Sequence, residues 1–391
     1  MDTLCATHDL LVFSHLRWDL VFQRPQHLMS RFANHRRVFF IEEPVIENIT
    51  EPYLSLKEES PGLCVVIPHL PLKISNRERD DMSRGLLDEM IQGENIKNFS
   101  IWYYTPMALN FSDHLVGQVT IYDCVDDLVN FSQTMAEKET ALLRRADLVF
   151  TGGNSVYEEK KQKHKRVHSF PSAIDTTHFS KARFALTDPE DQENLPRPRI
   201  GFVGGIDGRM NFSLLENIAA LRPEWQFILL GQVAKTVQDI LPKKENIHYL
   251  GMKRYADLPF YMSSWNCAMV PLAKHESIRF AYSTKISEYL AAGLPVVTTS
   301  IAETRIYHGK NLLAVADDAE NFVKALDIVL AEKPSSQRIK SVDEFLKNAS
   351  WDHTWERMSL LEIDALTRKK GFSPLLAEGL QTSFNTARGA K

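Results

Sequence analysis

The stretch Ala281–Ser300, AYSTKISEYLAAGLPVVTTS, decides how the rest of the chain is read. Ser283 or Thr284 can cap a helix that runs to Ala292. Gly293 then supplies the residue just past the helix, and Pro295 follows where a helix cannot continue. The next run, PVVTTS, is apolar enough for a strand buried on both faces of a parallel sheet. A helix followed at once by such a strand is half of a βαβ unit, with the helix start on the rim of the sheet. Free backbone N–H groups and the positive dipole end make that rim a place for a diphosphate. Lys285 and Glu288 stand three residues apart and share a helix face. A lysine at a helix N-terminus works against the dipole, so a bound diphosphate would offset it. Glu288, a turn further in, could accept hydrogen bonds from ribose hydroxyls. As a surface ion pair alone, Lys285–Glu288 would contribute only about 0.3 kcal/mol.

Outward from this stretch the same rhythm repeats. Short apolar runs alternate with helical segments, the pattern of parallel sheets with crossover helices. Before it lie RIGFVGGI, a helix over 212–221, WQFILLG, NIHYLG, a helix over 258–264 and CAMVPLA; after it comes a helix over 320–331. In the first half DLLVFSH, RVFFIEE, LCVVIPH, NFSIWYYT, VTIYDCVD and ADLVFTGG read as strands, with helices around 26–35, 80–92 and 133–145. The rhythm fades between Ser172 and Pro198, where LTDPEDQENLPRP is polar and proline-rich, as a linker would be. The reading is two βαβ-rich domains: 1–180, a linker at 181–198, and 199–350. A final helical stretch over 339–368 and a weakly periodic, loosely ordered tail from 371 to 391 complete the chain.

Composition narrows the classes. The 391 residues carry 46 Lys and Arg against 50 Asp and Glu, a net charge of −4, which argues against a dedicated nucleic-acid binder. Hydrophobic residues make up 44% and charged residues 25%, so the chain is globular rather than disordered. The longest uncharged stretch, Leu258–Ala273, contains two prolines and falls short of the ~20 residues a membrane span needs. The N-terminus MDTLCATHDLLVF lacks the basic region of a secretory signal, so a cytoplasmic location is expected. Four cysteines without CxxC spacing suggest neither a disulfide framework nor a zinc site. The basic run Lys160–His168, KKQKHKRVH, is either a solvated helix end or a contact with an anionic membrane surface.

The second half opens with RIGFVGGIDGRMNFSLLENIA. A strand ends in Gly204–Gly205, a loop follows, and a helix starts with Asn211 as its candidate cap. Small residues there let backbone amides approach a phosphate, and Arg209 adds a charge-assisted contact. The glycines read G-x-x-G-G-x-x-G rather than G-x-G-x-x-G, with no acid some 20 residues on, which disfavours an NAD-dependent oxidoreductase.

These motifs carry a family resemblance. KISEYLAAGLPVV resembles the donor-site helix of GT-B glycosyltransferases, especially retaining enzymes similar to family 4. RWDLVFQRPQHLMSRFA and VTIYDCVDDLVNF resemble the first loop and a cleft strand of a bacterial subset of them. ADLVFTGGNSVYEEKK, PSAIDTTHF and WDHTWERM resemble further segments, the last a helix that crosses back to the first domain over 351–370. The resemblance implies an α/β GT-B fold: two Rossmann-like domains facing each other across a cleft, the first on the acceptor side and the second on the donor side. It implies transfer of a sugar from a nucleoside-diphosphate sugar, a UDP-sugar by first choice, to a glycan or lipid-linked acceptor in polysaccharide assembly. Retention and metal independence are expected with it, and no resident cofactor. On this reading Gly204, Gly205, Arg209, Tyr282, Ser283, Thr284, Lys285 and Glu288 hold the donor, with Glu288 on its ribose and Lys285 also stabilising the leaving diphosphate. Gln23, Arg24, His27 and Asp127 face the acceptor side of the cleft. Three carboxylates at one strand end, Asp123, Asp126 and Asp127, are costly to bury unless solvated or paired. Such a strand end belongs either at the mouth of the cleft or at a helix start, where an aspartate caps free N–H groups. The resemblance implies that Asp123 or Asp126 occupies the space of a histidine that contacts the transferred sugar in similar enzymes, which makes them the catalytic candidates, as general bases if the enzyme inverts. The family's glutamate near the transferred sugar corresponds to Phe280 here, the nearest carboxylate being Glu276. An epimerase of the same fold and a non-catalytic nucleotide or glycan binder are the competing readings; turnover of a labelled donor separates them.

Overall fold

A computed structural model describes residues 8–370 except 21, 125–132, 274–282, 302–303, 305–306, 308–309 and 333–334. The chain divides into two compact units, one of residues 1–172 and 351–391, the other of residues 173–350.

In the first unit β1 (Asp9–Ser14) is followed by α1 (Arg24–Ala33), β2 (Val38–Glu42), β3 (Val45–Glu47), β4 (Tyr53–Ser60) and β5 (Leu63–Pro71). Then come α2 (Asn76–Gly93), β6 (Phe99–Tyr103), β7 (Thr120–Cys124), α3 (Gln133–Arg145), β8 (Leu148–Thr151), α4 (Asn154–Lys160) and β9 (Val167–Ser169). The strands order as β3-β5-β2-β1-β6-β7-β8-β9, all parallel, with β4 added antiparallel to β5 at the edge. β1 and β2 are buried at every position. That is why they read as unbroken apolar runs instead of alternating ones.

The second unit holds β10 (Arg199–Val203), α5 (Phe212–Leu221), β11 (Gln226–Leu230), β12 (Ile247–Tyr249), β13 (Cys267–Val270), α6 (Ser283–Ala291), β14 (Val296–Thr298), β15 (Ala314–Val315) and α7 (Ala319–Ala331). Its six strands order as β12-β11-β10-β13-β14-β15, all parallel. Phe202, Phe227, Tyr289 and Phe322 are fully buried in its core.

The segment read as a linker packs onto this second unit. Gln192 is fully buried, its amide donating to the Ser264 hydroxyl (2.7 Å) and the Tyr261 carbonyl (3.1 Å), while Trp265 Nε1 donates to its oxygen (3.1 Å). Asp188 pairs with Arg199 at the start of β10. Polar, proline-rich composition marks irregular backbone, and here that backbone is docked through its own side chains. The single helical stretch expected over 339–368 is two helices, Ser336–Leu346 and α8 (Trp351–Lys369). Between them the Ala349 carbonyl accepts from the Ile174 amide (2.8 Å). α8 belongs to the first unit, where Glu362 meets Arg36 through two hydrogen bonds (2.7 and 2.8 Å), both side chains buried. Burial alone would raise the Glu362 carboxyl, but Arg36 overrides it and holds the group below its ordinary value. The tail from 371 lies outside the described residues.

Candidate functional site

In the second unit, β10 runs into Gly204 and Gly205, and the neighbouring glycines Gly231 and Gly205 leave little room for a side chain. A Cβ on Gly231, at the end of β11, would lie 1.8 Å from the Gly204 carbonyl oxygen, so two strand ends meet at a distance only glycine permits. A Cβ on Gly205 would touch the Asp207 carboxylate (3.3 Å) and Arg209 Nη2 (3.5 Å). The loop thus folds an Asp207–Arg209 pair down over Gly205. Arg209 Nε donates to Asp207 Oδ1 (2.9 Å), and the Arg209 amide donates to the same oxygen (3.0 Å). The guanidinium holds the Asp207 carboxyl below its usual range. Asn211 caps α5 as its position suggested, its side chain accepting from the Leu214 amide (3.0 Å).

α6 starts at Ser283, so Ser283 and Thr284 lie inside its first turn rather than capping it, and Gly293 takes the left-handed conformation (φ 83°) just past its end. Lys285 Nζ donates to Glu288 Oε2 (2.9 Å), with Glu288 buried and Lys285 half-buried. One residue on, Tyr289 is fully buried, and its hydroxyl reaches the last residue of β10. The Val203 amide donates to Tyr289 Oη (2.7 Å), which donates in turn to the Val203 carbonyl (3.3 Å). This phenol ties α6 to the residue preceding Gly204. Lys285, Glu288, Gly204, Gly205 and Arg209 therefore sit on two elements locked together, each cation beside its own carboxylate. Sequence reasoning missed Tyr289 and Asp207. The apolar spacing of α6 hides the first; the Asp-x-Arg spacing is the signal for the second. Tyr282, Phe280 and Glu276 lie outside the described residues, and Thr284 is half-buried in the first turn of α6.

In the first unit two of the expected acceptor residues, Arg24 and His27, turn inward. Arg24 meets Asp123 in a two-pronged pair (Nε–Oδ2 2.9 Å, Nη2–Oδ1 2.8 Å) and also donates to the Phe170 carbonyl (2.8 Å). Asp123 has no exposed surface and Arg24 only 4%. Burial opposes the guanidinium's charge, but Asp123 overrides it and raises its pKa. Both charges are thus desolvated and mutually satisfied, the paired alternative for an acidic strand end. His27 is buried and stacked on Trp351 of α8, with ring centres 4.7 Å apart. Gln23 is exposed at the start of α1, in a reciprocal cap with Gln26. Asp126 and Asp127 lie outside the described residues.

The basic run is largely spent within the protein. Lys160 is fully buried between Glu139 (2.8 Å) and Glu159 (3.1 Å), Lys163 reaches Glu159 (2.5 Å), and Arg166 reaches Asp364 of α8 (2.6 Å). Lys161 pairs with Glu158. These partners leave no continuous patch of unpaired cations for an anionic surface. Among the described residues no helix is long and apolar enough to cross a membrane.

This architecture is the α/β fold with parallel sheets of the GT-B glycosyltransferases. Sucrose-phosphate synthase from Thermosynechococcus elongatus superposes with a TM-score of 0.60 at 15% identity, over 92% of this chain and 100% of that one. A UDP-forming trehalose-phosphate synthase from Burkholderia vietnamiensis gives 0.65 at 13%, over 94% and 100%. Anabaena HepE, in complex with UDP and glucose, gives 0.57 at 13%, over 96% and 99%. Residues 197–332, which carry the Gly204 loop and α6, match the family model described as glycosyl transferases group 1. A curated relative, the putative teichuronic acid biosynthesis glycosyltransferase TuaH of Bacillus subtilis (strain 168), is 25% identical over 240 residues. That match takes in 56% of this chain and spans 60% of the relative's length.

Proposed function

We propose that the chain is a glycosyltransferase that moves a sugar from a nucleoside-diphosphate sugar, with UDP the first choice of nucleotide, to a glycan or lipid-linked acceptor. The observation that carries this reading is the Tyr289–Val203 tie. It holds α6 to the end of β10, next to the Gly204–Arg209 loop, inside the segment that matches the family model. Departure of a nucleoside diphosphate develops negative charge, and the helix N-terminus, Lys285 and Arg209 are the groups that would meet it. A guanidinium has five N–H donors, and Asp207 orients Arg209 through Nε and Nη2, leaving the planar fork pre-aimed. Glu288 would take the ribose hydroxyls when a diphosphate draws Lys285 away. Retention of configuration, catalysis without a resident cofactor or metal, and a role in polysaccharide assembly complete the proposal. The relation to the teichuronic acid glycosyltransferase supports the last of these.

The test is thermal shift of the purified protein with UDP, GDP, ADP, TDP and NAD. A ligand at 100 times its Kd adds about 2.7 kcal/mol. For domains of this size each kcal/mol is worth roughly 2–4 °C. One diphosphate should raise Tm by several degrees and NAD should leave it unchanged. No shift with any diphosphate overturns the reading.

A further inference from the structure

α6 ends in a turn that leaves several carbonyls to other donors. The Gly293 amide donates to the Leu290 carbonyl (2.9 Å) and the Leu294 amide to the Tyr289 carbonyl (3.0 Å). That pairing, with Gly293 left-handed, closes a helix but does not reach the carbonyls after Leu290. Two arginines meet three of them. Arg183 Nε donates to the Ala291 carbonyl (2.8 Å). Arg338 donates from Nη1 to the Gly293 carbonyl (3.2 Å) and from Nη2 to the Leu294 carbonyl (2.9 Å). Both guanidiniums therefore sit at the negative pole of the helix whose first turn carries Lys285.

The two cations are balanced differently. Arg183 comes from the segment read as a linker, and Asp343 of the helix Ser336–Leu346 meets it at Nη1 (3.1 Å) and Nη2 (2.6 Å). Arg338 stands on that same helix. Among the described residues its guanidinium hydrogen-bonds carbonyls alone, the third being that of Leu312 (3.4 Å). Burial is the main cause drawing its pKa below the ordinary value, which marks a charge held partly out of water. Gly293 is packed against Arg183, since a Cβ there would lie 3.2 Å from Arg183 Cγ. α6 has nine residues, so it is about 13 Å long at 1.5 Å per residue. A half-buried charge at that distance is only partly screened by salt.

We infer that Arg338, with Arg183, is a positioning residue for the diphosphate of a nucleotide at the start of α6, acting through the helix. An anion there is drawn by the positive pole and by Lys285, and repelled by the negative pole at the far end. Arg338 cancels that far pole, so the attraction at the start is undiminished. Arg183 does the same to a smaller extent, because Asp343 offsets much of its charge. The contribution grows with the charge on the ligand and is small for an uncharged nucleoside. The arginine cap stands on its hydrogen bonds alone. Its effect on a diphosphate rests on the donor site proposed above.

The experiment is isothermal titration of the full chain with UDP and UMP, or with the diphosphate and monophosphate of whichever base the thermal shift selects. Arg338→Met should weaken UDP roughly three- to five-fold and UMP by a smaller factor. Arg338→Lys keeps the charge and should recover most of the UDP affinity. Asp343→Asn removes an exposed carboxylate, frees the charge of Arg183 and should tighten UDP, a change of opposite sign. Raising the salt from about 0.01 M to about 1 M should shrink these differences. Equal losses of UDP and UMP in Arg338→Met, or a lysine variant as weak as the methionine one, would overturn the inference. If Arg338→Met does not fold, Asp343→Asn decides, and unchanged or weaker UDP binding there overturns it. Wild-type protein that binds no nucleoside diphosphate counts against the donor site, and the inference falls with it. Wild-type binding with unaffected variants counts against the inference alone.

Discussion

Asp123 and Lys285 are both charged residues in motifs that read as functional, yet their surroundings assign them opposite work. Asp123 is sealed against Arg24, so Asp123→Asn leaves a buried guanidinium without its counter-charge. That loss should cost about 3–5 kcal/mol, visible as a lowered urea midpoint, whereas Arg24→Met with Asp123→Leu should recover much of it. If Asp123→Asn abolished turnover with the urea midpoint unchanged, the structural role would be excluded. Lys285 is half-buried at a helix start with room to change partner. Lys285→Ala should raise the donor Kd and cut turnover with little change in Tm, and unaltered kinetics would remove its phosphate role. Glu288→Gln should weaken UDP itself, because the ribose belongs to the leaving part, and isothermal titration reads that directly.

At the scale of elements, the proposed donor site depends on how α6 is joined to β10. Tyr289→Phe removes a hydroxyl and nothing else, leaving the Val203 amide buried without a partner. A loss of about 1–3 kcal/mol is expected, together with weaker nucleotide binding, because the Gly204 loop is no longer held to the helix. Equal nucleotide affinity in Tyr289→Phe would show that the tie matters only for stability. α8 shows the same logic in the first unit. The helix was expected from the resemblance of WDHTWERM, but its anchors, Arg36–Glu362 and the His27–Trp351 stack, pair residues more than 300 positions apart. β4 was missed because YLSLKEES is a charged edge strand, mostly exposed, whose pairing with β5 comes from position rather than apolar pattern.

For the molecule as a whole, four histidines among the described residues are expected to shape the pH response. Burial is the leading cause that lowers the pKa of His8 and His168 in the first unit and of His178 and His248 in the second. A histidine whose folded pKa lies below its unfolded value of about 6.5 binds its proton more readily in the unfolded chain. Stability is then fully present above pH 6.5 and declines as pH falls below it. Tm should therefore drop between pH 7.5 and 5.5, before the depressed carboxyls of Asp207 and Glu362 protonate at more acid pH. A flat Tm over that interval would mean that these rings are solvated.

Sequence alone determined the alternation of strand and helix, the Asn211 cap of α5 and the glycine past the end of α6. Those features are written in local spacing: apolar runs long enough to be buried strands, a glycine after a helix, a lysine and a glutamate on one face. Tertiary structure decided which charged residues are sealed and which face outward. Arg24, Asp123, His27 and Lys160 look like surface chemistry in the sequence because burial of a charge depends on a partner far along the chain.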